Sequence, residues 1–166
     1  MICCVTGHRS KGFPFERSGS LYSIYLSRLQ QTVSDLIDSG YSHFITGMAE
    51  GADIDFARTI IDFRLQNPSI LLEAAMPYPI LPSKRKTVLS EERDVIISAC
   101  DMIHIVAPYY HRGCMQKRNQ YMVDRADAVL AIWNGTESGG TWNTIRYALS
   151  VGRKLMYIRL DELNLE

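Results

Sequence analysis

The sequence predicts a doubly wound α/β fold: one mostly parallel sheet of about six strands with helices on both faces. Two observations carry this. Six short apolar runs recur along the chain, each near-continuous as in strands covered on both faces. Between several of them lie segments with a helical apolar period.

The first run is Ile2 to Thr6, and the helix after it places Leu21, Ile24, Tyr25, Leu29, Val33, Leu36 and Ile37 on one face before Gly40 stops it. His43 to Thr46 forms the second strand. The second helix runs from about Ala52 through Phe56, Ala57, Ile60, Ile61 and Leu65 to the Asn67-Pro68 breaker. Leu71 to Met76 and Met102 to Ala107 are the third and fourth strands, and Pro77-Tyr78-Pro79-Ile80-Leu81-Pro82 reads as a stiff loop. A helix over 114–124 precedes the fifth strand, Ala128 to Trp133. A last helix after Gly140, with Ile145, Ala148 and Leu149 inward, leads to the sixth, Leu155 to Leu160. Residues 99–106 and 125–132 resemble each other, each setting an Asp between a helix end and a strand, as in successive right-handed units.

At 166 residues the chain has the size of a single domain, expected over 1–166, and can bury roughly 70% of its unfolded surface. Its 18 Lys+Arg balance 18 Asp+Glu, and zero net charge argues against nucleic acid held by bulk electrostatics. There is no basic leader and no apolar run near the ~20 residues of a membrane helix, so a cytoplasmic protein without a membrane partner is expected. Cys3, Cys4, Cys100 and Cys114 lack metal-ligand spacing. Adjacent Cys3 and Cys4 point to opposite faces of a strand, so four free thiols and no metal site are expected.

In an open parallel sheet, ligands bind beyond the carboxyl ends of the strands. Three corners there are rich in glycine and small residues: Thr6-Gly7-His8-Arg9-Ser10, Thr46-Gly47-Met48-Ala49-Glu50-Gly51-Ala52-Asp53, and Asn134-Gly135-Thr136-Glu137-Ser138-Gly139-Gly140-Thr141. Together they point to a phosphate-bearing ligand received by free N–H groups and helix dipoles. The corner at Gly139-Gly140-Thr141 is the strongest anion candidate, against the alternative of a Ser138 cap followed by flexible glycines. Glu137 would repel a close phosphate, so it faces a sugar hydroxyl or solvent. Arg118 shares a helical face with Met115 and Met122 and needs a partner, either an internal carboxylate or a ligand anion. His8 is a cleft or a surface residue, Asp53 complements a helix dipole, and Tyr109-Tyr110 form a stacking wall or plain loop packing.

These residues together resemble the SLOG superfamily, the Rossmann-like group that includes DNA-processing protein A and the LOG phosphoribohydrolases, and within it the YpsA-like branch. The resemblance rests on Gly7-His8-Arg9, Thr46 to Asp53, Arg118-Asn119 with Met122-Val123-Asp124, and Gly139-Gly140-Thr141. It implies a bacterial or phage protein that binds a nucleotide derivative such as ADP-ribose or NAD, with no required cofactor. The expected ligand-binding residues are Thr6, Gly7, His8, Arg9, Thr46, Gly47, Met48, Gly51, Asp53, Arg118, Asn119, Gly135, Gly139, Gly140 and Thr141. A ligand sensor is the leading reading, and hydrolysis of a nucleotide N-glycosidic bond the alternative. The LOG motif places a glutamate where Thr144 stands, and Asn119 replaces its lysine. A hydrolase would therefore need Glu137 or Glu50, beside Arg118, as its carboxylate. The number of subunits stays open, a homo-oligomer included.

Overall fold

The computed structural model describes residues 1–79 and 87–163; Ile80, Leu81 and Pro82 of the expected stiff loop lie outside the described residues. Six parallel strands form one sheet: β1 Ile2–Gly7, β2 His43–Thr46, β3 Leu71–Met76, β4 Met102–Ile105, β5 Ala128–Trp133 and β6 Lys154–Arg159. Their order is β4-β3-β2-β1-β5-β6. The chain winds outward from β1 to β4, then returns to set β5 on the other side of β1. That reversal opens a crevice beyond the carboxyl ends of β1 and β5.

Among the described residues five α-helices connect the strands: α1 Ser20–Asp38, α2 Ala52–Gln66, α3 Val88–Ser98, α4 Cys114–Arg125 and α5 Gly139–Ser150. The first three share one face of the sheet, where Tyr25, Leu29 and Val33 of α1 and Phe56 and Ile60 of α2 join Cys3, Val5, Phe44, Leu72 and Leu130 in the main core. Cys4, Ile45, Ala75 and Val129 point the other way and pack beneath Met122 and Val123 of α4 and Ala148 of α5. Cys3 and Cys4 thus face opposite layers, and all four cysteines are free thiols. Gly40 ends α1 as expected, at φ +92°, with the Tyr41 N–H donating back to Leu36 O at 3.0 Å in a Schellman turn.

The two similar Asp-containing stretches have a shared structural reason. Asp127 accepts the Ile2 N–H at 2.7 Å and donates its own N–H to Ile2 O at 2.8 Å. Asp101 does the same for Leu72, at 2.8 and 2.9 Å. Each aspartate closes the amino edge of a neighbouring strand and pins its register.

Two sequence expectations are corrected here. The fourth strand stops at Ile105, and all four of its residues are exposed because it is the edge strand, although the Tyr121 ring of α4 stacks on His104 at 3.9 Å. Leu149, expected inward, is exposed; the inward stripe of α5 is Thr141, Thr144, Ile145 and Ala148. No helix among the described residues is long and apolar enough to cross a membrane.

Candidate functional site

The corner after β1 is stitched between its neighbours. The His8 N–H donates to Ile132 O at 3.3 Å, and the Ala52 N–H donates to His8 O at 3.1 Å. A Cβ on Gly7 would run into Ala52, and one on Gly51, at φ +93°, would lie 2.6 Å from His8 O. These two glycines let β1, the His8–Ser10 turn and the start of α2 touch backbone to backbone. Arg17 holds the return to α1 by donating to Ser10 Oγ at 2.9 Å, to Tyr22 Oη at 2.8 Å and to the buried Asp55. Asn134 after β5 clamps the same segment through Gly12 O at 2.9 Å.

The corner after β2 is built around Arg118, which reaches it from α4 and is only 7% exposed. Its Nη1 donates to Gly47 O and, at 3.5 Å, to Ala75 O, and its Nε donates to Asn119 Oδ1 at 2.8 Å. A Cβ at Gly47 would collide with the guanidinium, so glycine there is a condition of Arg118 being present. Asp53, 6% exposed, accepts the Ala49 N–H at 3.3 Å. Burial pushes its carboxyl up, against the pull of nearby Arg118; burial likewise pushes Arg118 down, against the pull of Asp53. Met48 is held at φ +58°, a left-handed backbone unusual for a side-chain-bearing residue. Thr46 is wholly buried and works from below, its hydroxyl donating to Asp53 O at 2.9 Å.

The third corner differs from the other two. Ser138 makes no side-chain cap to α5, and no acidic residue lies in the first turn. Gly139 needs its glycine for φ +80°, but Gly140 has neither a positive φ nor any atom within 4 Å of where a Cβ would stand. Thr144 Oγ1 donates to Gly140 O at 2.9 Å and accepts from Asn119 Nδ2 at 2.9 Å. A continuous hydrogen-bond chain therefore runs from the amino end of α5 through Thr144, Asn119 and Arg118 to Gly47.

Two adjoining hollows lie over these corners. One, about 300 Å³, is lined by Thr6, Gly7, His8, Arg9, Asp53, Arg118, Asn119, Gly140 and Thr141 of the sequence set, together with Val5, Lys11, Gly12, Ala49 and Met115. The other, about 310 Å³, takes Arg9, Gly47, Met48, Glu50, Gly51 and Arg118, with Arg17, Ile54, Pro77 and Tyr78 and the start of α3. Arg9, Ala49, Met115 and Arg118 belong to both and mark the junction. Gly135 packs toward Asp161 and Arg159, and Gly139 lines neither hollow. Glu137 is exposed and also lies outside both, whereas Glu50 lines the second. Sequence reasoning missed Lys11, Arg17 and Tyr78 as cleft residues; only Tyr78, fixed between two prolines, carried a readable signal. Among the described residues no three His, Cys, Asp or Glu side chains converge as metal ligands.

Comparison with known proteins agrees with this architecture. The family model described as the YspA SLOG family, YpsA, matches residues 3–162. A UPF0398 protein of Bacillus pumilus is 22% identical over 170 residues, covering 98% of this chain and 89% of that protein. The UPF0398 protein BH1768 of Halalkalibacterium halodurans is 22% identical over 127 residues, 75% of this chain and 65% of its own. An uncharacterized SPbeta prophage-derived protein, YoqJ, of Bacillus subtilis is 50% identical over a 34-residue stretch, 20% of this chain and 19% of that protein. With a whole-length family match and a six-stranded parallel sheet, the chain belongs to the YpsA SLOG family.

Proposed function

We propose that this chain binds a nucleotide derivative of the ADP-ribose or NAD class and serves as a ligand sensor, its phosphate received at the amino end of α5. The observation that carries the reading is Gly140, a glycine that neither backbone conformation nor packing requires, at a helix end whose N–H groups lack a side-chain cap. A side chain there would project into the space that an anion needs. Arg118 supports the reading: Nε and Nη1 are committed to Asn119 and Gly47, while Nη2 makes no hydrogen bond among the described residues of the cleft. Arg9 and Lys11 add positive charge to the same hollow, and the one carboxylate lining it, Asp53, lies buried beneath the Ala49 N–H.

N-glycosidic hydrolysis is the second reading, and Glu50 in the adjoining hollow is what favours it over a site with no carboxylate. The place of the LOG glutamate is taken by Thr144, whose hydroxyl is used inside the scaffold. The test is thermal stabilisation by AMP, ADP-ribose and NAD set against adenosine and nicotinamide riboside. Nucleotides are expected to stabilise by about 2.7 kcal/mol at a hundredfold excess over Kd, and nucleosides far less. Equal shifts with AMP and adenosine overturn the phosphate assignment. Repeated turnover of base release, lost in Glu50→Gln, replaces the sensor with the hydrolase.

A further inference from the structure

The two hollows differ in chemistry. The one beneath α5 gathers Arg9, Lys11 and Arg118 against a single buried carboxylate. Its neighbour is lined by four arginines among the described residues, of which Arg17 is committed to Asp55 and Arg9 and Arg118 are shared with the first hollow. Glu50 and Glu92 stand there as well, and at the rim a Thr87–Ser90 capping box takes up the Thr87 and Ser90 N–H groups at the start of α3. Its described lining is thus of mixed charge, where the hollow beneath α5 is mainly cationic.

An aromatic ring has a wall to meet there. Tyr78 lines the wall, with Pro77 and Pro79 on either side, so the backbone carrying it has few conformations to lose on binding. Tyr110, 67% exposed, meets the Tyr78 ring edge-on at 5.5 Å and 83° from outside the hollow. Tyr110 thus braces the Tyr78 ring through an edge-on contact. Met48, Ile54 and Met115 supply apolar surface, and the Glu50 carboxylate is an acceptor for ring amino or sugar hydroxyl groups. Each hollow alone is at the small end of the range for ligand sites, so the pair suits a ligand with two distinct parts.

We infer that the cleft takes a two-part ligand, its phosphate in the hollow beneath α5 and a neutral aromatic base in the adjoining hollow against Tyr78, with Arg9 and Arg118 at the junction. This rests on the phosphate reading above and adds the base-binding half. Calorimetry with AMP, ribose 5-phosphate and adenosine on the wild type, Tyr78→Ala, Tyr78→Phe and Tyr110→Ala tests it. The wild type is expected to bind AMP at least tenfold tighter than ribose 5-phosphate. Tyr78→Ala should weaken AMP by about five- to a hundredfold, the span of base–aromatic stacking, and leave ribose 5-phosphate unchanged. Tyr78→Phe should keep AMP affinity, and Tyr110→Ala should lose a smaller part of it. Equal wild-type affinities for AMP and ribose 5-phosphate, or equal losses of both in Tyr78→Ala, overturn the base site while the phosphate reading stands. Adenosine binding as tightly as AMP overturns the phosphate reading and the two-part ligand with it.

Discussion

Arg118→Met keeps the aliphatic stem and removes the guanidinium, and the scaffold answers for what is lost. Gly47 O and Asn119 Oδ1 each lose a charged donor, in a part of the structure where Arg118 is nine-tenths buried. Hydrogen bonds to a charged group contribute about 1.5–3 kcal/mol apiece, and relief from burying the cation offsets part of the sum, leaving a net loss of about 3 kcal/mol. That corresponds to a fall in Tm of about 6–12 °C for a chain of this size. Asp53 sets the pH dependence. Burial already raises its carboxyl and Arg118 opposes the rise, so removing Arg118 raises it further. A carboxyl raised in the folded state binds its proton more tightly folded than unfolded. Its ionisation penalty is therefore absent below the ordinary carboxylate range near pH 4 and complete above the raised value. The deficit of Arg118→Met should accordingly be largest at pH 7 and shrink as the pH falls through the raised value toward 4, and adding Asp53→Asn should recover part of it. Urea unfolding of the four proteins of this cycle at both pH values reads the effect. A loss under about 1 kcal/mol, or one identical at pH 4 and pH 7, refutes the placing of Arg118 as the keystone between α4 and the β2 corner.

The two strand-closing aspartates share no partner. Asp127→Ala should therefore cost about 1–2 kcal/mol in chemical unfolding, Asp101→Ala more because it also loses Arg64 at 2.6 Å, and the double variant should be additive within about 0.5 kcal/mol. A strongly non-additive pair would contradict independent register pins. Glu73 is buried, which works to raise its carboxyl, but hydrogen bonds from His43 at 2.9 Å and Tyr121 at 2.6 Å, with Arg125 nearby, hold it below the ordinary range. Its contribution is then fully present above about pH 4.3 and lost as the pH falls through the lowered folded value. Glu73→Gln should flatten the acid limb of a stability-against-pH curve, and curves that run parallel from pH 6 to 3 would show that the cluster does not set it.

The sheet was legible because strands covered on both faces must be apolar throughout, as Ala128 to Trp133 is. Met102 to Ile105 reads the same way but lies at the edge, since position in the sheet is fixed by winding order and not by the composition of one strand. The glycine corners stand out in the sequence as a set and are ambiguous one by one. Gly7, Gly47 and Gly51 answer to Ala52, Arg118 and His8, neighbours that only the fold supplies, while Gly140 answers to none. The weighing of Arg118 between a carboxylate and a ligand missed its main partners, because Gly47 O and Ala75 O are backbone carbonyls and leave no mark on a sequence. Exposed Glu137 and inward Thr46 show the same limit: strand-end spacing places a residue near an edge without saying which way it points.

The central claim is that the amino end of α5 receives a phosphate, and Gly140→Val tests it most directly. The open space around Gly140 means the folded protein should accept the side chain, with apo stability within about 1 kcal/mol of wild type. Calorimetric titration of wild type and Gly140→Val with ADP-ribose, beside apo unfolding of both, is the measurement. A loss of at least tenfold in affinity, with the fold intact, is expected. Undiminished affinity in a normally folded Gly140→Val would contradict the claim.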